Sequence, residues 1–85
     1  MLNFQEVNFN EVIFTNTKIE GTCVETCMFE NIDFKDAAIS NSRFVNCEFN
    51  NVNFVGLQLE NVKFSECKFT DIKCTEEQKN ILGVD

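Results

Sequence analysis

The sequence predicts an all-β solenoid, in which the chain winds as a four-sided coil around an apolar interior. Three observations predict this fold. All ten Phe residues fall in one register of a five-residue period, a smaller apolar residue stands two positions before most period centres, and similar residues recur at a spacing of 20. Phe is the only aromatic residue in the chain. Because its ring has no polar atom to satisfy, this usage favours fully enclosed aromatics.

The period of five runs from Leu2 to Glu76 without insertion or deletion. The period centres are Phe4, Phe9, Phe14, Phe29, Phe34, Phe44, Phe49, Phe54, Phe64 and Phe69, together with Ile19, Val24, Ile39, Leu59 and Cys74. The positions two before them are mostly small or apolar, and Cys27, Cys47 and Cys67 belong to this second set. We predict that both sets point inward.

Neither regular element explains a period of five. Five residues advance an α-helix by about 500°, so the Phe side chains would spiral around every face. On a flat strand, every second Phe would point outward. A short extended segment followed by a corner fits the pattern, because two residues separated by one share a face. The last position of most units is Asn, Asp or Gly, residues that tolerate turn geometry.

Four sides per coil place residues 20 positions apart directly above one another. Cys27, Cys47 and Cys67 have this spacing. Phe29, Phe49 and Phe69 have it too, so we predict vertical columns inside the coil. The predicted core ladder consists of the ten Phe residues and these three cysteines.

Several units carry the pattern of a known family: VNFNE (7–11), IDFKD (32–36), VNFVG (52–56) and CKFTD (67–71). On these units the sequence resembles the pentapeptide-repeat family over residues 2–76. The resemblance implies a right-handed quadrilateral β-helix of nearly four coils. The departures are the use of Phe in place of the commoner Leu, and Ile13, Cys23, Met28 and Arg43 at the usual Asp or Asn position.

The two ends of the repeat region differ in sequence. We divide the chain into a β-helix over 2–76 and a helical cap over 77–85. Thr75 and Gln78 form a candidate capping box, Gly83 is a candidate stop signal, and Ile81 and Leu82 are expected to cover the last coil. No such segment precedes the first coil, which favours a homodimer formed end to end there. A domain cut from a longer protein is the alternative.

The cysteines favour a structural interpretation. Five is an odd number, which excludes a complete internal disulfide framework and favours the cytoplasm. Cys23 and Cys27 are spaced as a C-x3-C pair that could bind zinc, but a ladder of buried cysteines at strand spacing does not provide a tetrahedral ligand set. We therefore expect no metal. Cys23 is the one cysteine predicted to face outward, and it is a candidate reactive thiol.

Catalysis and several binding classes find no support in the sequence. Histidine is absent, and we find no Gly-rich phosphate loop and no nucleophile–base pair. We therefore predict no enzyme activity and no cofactor. A net charge of −7 argues against direct binding of nucleic acid or an anionic membrane. The start of the chain does not resemble a signal peptide, and no stretch is apolar enough to span a membrane.

The predicted function is a protein-interaction or scaffolding module acting through the solenoid surface. Ile13, Met28, Val45 and Val55 occupy outward positions and are candidate interface residues. One branch of the family that the chain resembles, the bacterial fluoroquinolone-resistance proteins, is acidic and engages DNA gyrase in place of DNA. The resemblance therefore implies a DNA mimic as an alternative, although residues 37–74 carry as many basic as acidic residues. A structural spacer of a longer protein is a further alternative.

Overall fold

A computed structural model describes residues 2–83 of the chain. It contains nine strands and one helix: β1 (Leu2–Gln5), β2 (Asn8–Asn10), β3 (Lys18–Glu20), β4 (Thr22–Glu25), β5 (Met28–Asp33), β6 (Ala38–Val45), β7 (Glu48–Asn53), β8 (Gln58–Ser65), β9 (Lys68–Lys73) and α1 (Glu76–Leu82). The strands wind into a right-handed four-sided β-helix of about four turns, closed by the short helix at its C-terminal end. The predicted fold class is confirmed.

All strand pairing is parallel and joins residues 20 positions apart. One sheet connects β1, β4, β6, β3 and β8, and the other connects β2, β5, β7 and β9. Phe29 pairs with Phe49, which pairs with Phe69. Their rings stack nearly parallel, with centroids 4.8 and 5.0 Å apart. The Phe side chains therefore form the vertical columns that the spacing of 20 predicts.

The corners of the coil all have the same left-handed backbone conformation. The last residue of each repeat unit, from Glu6 to Asp71, has a positive φ. Most of these residues are Asn, Asp or Gly, which adopt this conformation most readily. Glu6, Glu11, Thr26 and Glu66 adopt it as well, and their residue types gave no sign of it. The stacked hydrogen bonds between coils hold the backbone of these residues in the left-handed region.

Burial within the core varies along the rod. The centre and small inward positions of the middle coils are buried, with Phe34, Phe49 and Phe54 each 1% exposed. The inward residues of the first and last coils are half-buried, including Phe4, Phe9, Phe14, Phe64 and Phe69. The ladder is thus continuous but enclosed on all sides only in the middle coils.

Helix α1 begins at Glu76, so residue 76 belongs to the cap, and residues 84–85 of the predicted cap lie outside the described residues. Thr75 is the N-cap and forms the predicted capping box with Gln78, and Gly83 ends the helix in the left-handed conformation. The Gln78 side chain donates a buried hydrogen bond of 2.8 Å to the Leu57 carbonyl. Leu82 is 4% exposed.

Ile81 covers the last coil only in part, because the residue is 41% exposed. On a helix of seven residues, only one narrow side can face the coil. Gln78 and Leu82 lie at the centre of that side and are buried, whereas Ile81 lies at its edge, beside Leu57 and Leu59.

Candidate functional site

The first coil ends in an open apolar cavity, which we call the N-terminal mouth. It is formed by Leu2, Phe4, Phe9, Phe14 and Ile19, and it has a volume of about 300 Å³. Its floor is the core of the next coils, at Val24, Phe29, Phe34 and Phe44. Within residues 2–83 no segment lies over it, and Leu2 is 61% exposed. The mouth is therefore an exposed cross-section of the hydrophobic core.

Backbone groups surround the N-terminal mouth. Between coils, Met28 donates its N–H to the Val7 carbonyl at 3.0 Å, and Asp33 and Ala38 repeat this contact on the next two sides. The corresponding donors of the first coil, such as the N–H of Asn8, face the open end. The described residues provide no coil on that side. The mouth thus combines an apolar centre with the free edges of its strands, which is the composition of a docking surface.

The apolar outward residues predicted as an interface do not come together. Ile13 and Val55 lie on one side of the rod, two coils apart, with exposures of 76% and 42%. Met28 lies on the side that carries β5, and Val45 on the side shared by β4 and β6. Position in the coil distributes these four residues over three sides of the rod, so they form no contiguous patch.

Cys23 has the outward position predicted for it, but its side chain is only 7% exposed. Asn3, Cys23 and Arg43 are stacked neighbours in successive coils. The Arg43 guanidinium lies 3.7 Å from the Cys23 Sγ atom, and the Glu25 carboxylate lies 3.6 Å from it. The prediction of an accessible thiol is therefore wrong, because longer side chains above and beside Cys23 cover it.

Cys27, Cys47 and Cys67 line one inner corner of the coil as a column. Cys27 and Cys47 are 3% and 1% exposed, whereas Cys67, in the last coil, is half-buried. Burial raises the pKa of the Cys27 thiol. Hydrogen bonding between the Cys47 and Cys67 side chains lowers the pKa of Cys67 to about 7 and raises that of Cys47. Of the two thiols, Cys67 therefore ionises first.

The outer sides of the rod carry acidic and basic residues mixed together. Met28, Glu48 and Lys68 are stacked neighbours on one side. On an adjacent side, Lys63 follows Arg43.

In the described part of the chain no group of three or more Cys, Asp or Glu side chains is arranged to hold a metal ion. No helix between residues 2 and 83 is long and apolar enough to cross a membrane.

Comparison with known proteins yields a family and a fold. The model described as pentapeptide repeats (9 copies) matches residues 25–68. No curated protein matches the chain. A trypsin-treated variant of QnrB1, a plasmid-mediated fluoroquinolone resistance protein, is 22% identical with a TM-score of 0.69, over 76% of this chain and 34% of that one.

Two further QnrB1 structures are similar at 13% identity. The full-length protein gives a TM-score of 0.52 over 76% of this chain and 43% of that one. A second trypsin-treated variant gives 0.51 over 81% and 48%. This chain therefore corresponds to about a third to a half of the QnrB1 chains. At these identities the similarity shows the fold alone.

Proposed function

The chain belongs to the pentapeptide-repeat family, and from that premise we propose that it is a non-enzymatic protein-interaction module whose principal contact is a homodimer through the N-terminal mouth. The observation that carries the proposal is the difference between the two ends of the rod. Helix α1 covers the core at one end, whereas the core is exposed among the described residues at the other.

A second copy fits the N-terminal mouth because the partner surface must be apolar at its centre and must offer strand edges at its rim. The mouth of another molecule has both properties. Helix α1 blocks the opposite end, so head-to-tail stacking into a fibre is closed off. The symmetric arrangement of mouth against mouth remains, and it closes after two copies.

The size of the contact sets the expected affinity. The molecule measures 28 × 23 × 22 Å. One end therefore offers roughly 500 Å², or about 1,000 Å² for a symmetric pair, which is the lower limit for a specific interface. The first coil carries three acidic residues, Glu6, Glu11 and Glu20, and one basic residue, Lys18. Two first coils that face each other therefore repel electrostatically. We therefore expect a dimer in the micromolar range, strengthened by salt, because salt screens this repulsion.

Sedimentation analysis of three chains tests the homodimer. The native chain should sediment as a dimer at about 100 μM, and Leu2→Glu, which places a charge in the mouth, should weaken dimerisation at least about tenfold. Val55→Glu is the matched control. It adds the same charge at an exposed apolar position outside the mouth, so it should dimerise like the native chain. A monomeric native chain, or equal weakening by both substitutions, would contradict the proposal.

The spacer alternative differs in what occupies the N-terminal mouth. If the chain is a domain of a longer protein, further coils would cover the mouth in cis. The complete reading frame of the gene distinguishes the two cases. Repeat units in phase before residue 1 would favour the spacer, and their absence would favour the homodimer.

A DNA mimic is the second candidate, supported by the fold shared with QnrB1 and by the net charge of −7. Duplex DNA carries one charge per ~1.7 Å, so a mimic needs continuous acidic columns. The stacking of Lys68 on Glu48, and of Lys63 on Arg43, interrupts them here. A gyrase supercoiling assay decides the matter: inhibition or drug protection at tens of micromolar would favour the mimic, and no effect would exclude it.

A further inference from the structure

The backbones of the third and fourth coils hold Cys47 and Cys67 against each other. Asn46 donates its N–H to the Ser65 carbonyl at 2.8 Å, just before the pair, and Lys68 donates to the Cys47 carbonyl at 2.9 Å, just after it. The two Cα atoms are therefore one strand spacing apart, about 4.8 Å. That separation lies within the range of roughly 4.4–6.8 Å that a disulfide spans.

The two thiols also point the same way. The Cys67 Sγ atom lies 3.3 Å from the Phe44 carbonyl oxygen and 3.4 Å from that of Ser65. The Cys47 Sγ atom makes the same two contacts one coil earlier, at 3.5 Å to Val24 and 3.3 Å to Val45. Because the contacts repeat, the two side chains share one orientation and lie one above the other.

The other cysteines lack this combination of access and a neighbouring thiol. Cys27 is stacked next to Cys47 but is 3% exposed, and Cys23 is covered by Arg43. Cys74 is half-buried like Cys67, but its neighbour in the preceding coil is Phe54. Within the described residues, Cys67 alone is both reachable from solvent and stacked on a second thiol. Cys67 is therefore the thiol that a dissolved oxidant can reach, and Cys47 is the buried thiol next to it.

We propose that Cys67 and Cys47 form a peroxide-sensitive thiol pair, in which Cys67 is the residue oxidised and Cys47 resolves it to a disulfide between the third and fourth coils. The Cys67 thiolate attacks one peroxide oxygen, the O–O bond breaks, and hydroxide leaves, giving a sulfenic acid. The Cys47 sulfur then attacks the Cys67 sulfur. Its proton and the departing hydroxyl form water, so that two thiols and one hydrogen peroxide give one disulfide and two waters.

Intact-mass analysis of the folded, reduced protein tests this inference. With one equivalent of hydrogen peroxide, the chain should lose about 2 Da, and peptide mapping should find Cys47 linked to Cys67. The initial rate should increase about tenfold between roughly pH 6 and pH 8, because the reacting thiolate belongs to a group with a pKa of about 7. The disulfide lies within one chain, so this result is independent of the proposed dimerisation.

Three variants assign the roles. Cys67→Ser should abolish the loss of mass, and Cys47→Ser should stop at a sulfenic acid on Cys67 that a 1,3-dione traps. Cys74→Ser, the control for a half-buried thiol without a stacked partner, should behave like the native chain. A native chain that forms no disulfide while folded, or one that links another pair, would overturn the proposal.

These substitutions suit the site. Ser42 already occupies an equivalent inward position, 3% exposed, and its hydroxyl donates to the Ser40 carbonyl at 2.8 Å. Ala37 occupies another such position at 1% exposure. Circular dichroism verifies the fold of each variant. Where a Ser variant is unfolded, the Ala variant takes its place and carries the same expected outcome.

Discussion

The two ends of the rod present the same kind of core and differ in what lies over it. At the C-terminal end, Leu82 is 4% exposed and Gln78 binds the Leu57 carbonyl. At the N-terminal end, Leu2 is 61% exposed above a cavity of about 300 Å³. In a solenoid each coil contacts only its neighbours. An end coil therefore has half the contacts of a middle coil and needs either a cap or a partner.

The largest expected effect tests the difference between middle and end coils within one Phe column. Phe49→Ala should reduce the free energy of unfolding by about 3–5 kcal/mol, because the ring is 1% exposed and stacked on both sides. Phe9→Ala, which removes the same group from the first coil, should cost only about 1–2 kcal/mol. Urea denaturation of both variants measures this. Equal losses would show that the first coil is as well enclosed as the middle of the rod.

A second pair of substitutions compares the two ends directly. Leu82→Ala should destabilise the monomer by about 2–4 kcal/mol, because it removes the buried contact of the cap. Leu2→Ala should change the stability of the monomer by less than about 0.5 kcal/mol, because the side chain is mostly exposed. Denaturation at low micromolar concentration isolates the monomer. A large loss for Leu2→Ala there would mean that the N-terminal mouth is structurally closed.

The fold was predictable because the interior imposes its period on the sequence. A Phe at every fifth position specifies both the side of the coil and the column, so register, stacking and the cap followed from residue types alone. The capping box at Thr75 and Gln78 was equally legible, since it depends on local spacing. The buried hydrogen bond from Gln78 to Leu57 was not, because it joins residues 21 positions apart.

The surface was less predictable, for a physical reason. Position in the repeat gives the direction of a side chain, but its exposure depends on the length of the side chains stacked above and below it. Cys23 points outward and is covered by Arg43, and the four apolar surface residues lie on three sides of the rod. The stacking of Cys67 on Cys47 was predictable from their spacing of 20. The difference in exposure between the two cysteines was not predictable, because it depends on which coils lie at the ends of the rod.

The smallest expected effect concerns the corners. Near the N-terminal end, their residue types suit the left-handed backbone conformation less well than those in the middle of the rod. Thr26 has a φ of 54°, although it is β-branched, whereas Asn46 above it has a φ of 53°. The left-handed conformation costs a typical L-residue about 1–2 kcal/mol, and Asn less than most. Stacked Asn residues at other corners also bond to each other, as Asn51 does to Asn31 at 2.7 Å.

Thr26→Asn should therefore increase the free energy of unfolding by about 0.5–1 kcal/mol, by relieving the backbone and adding an amide contact to Asn46. The reverse exchange at the corner above, Asn46→Thr, should reduce it by a similar amount. Urea denaturation measures both changes, and the slope of the free energy of unfolding against urea concentration should be the same for all three chains. The prediction would be contradicted if Thr26→Asn left the urea midpoint unchanged while Asn46→Thr lowered it. The backbone of the outer coil would then already be relaxed enough to accommodate Thr26 without strain. The corners near the open end would then be looser than their φ angles indicate.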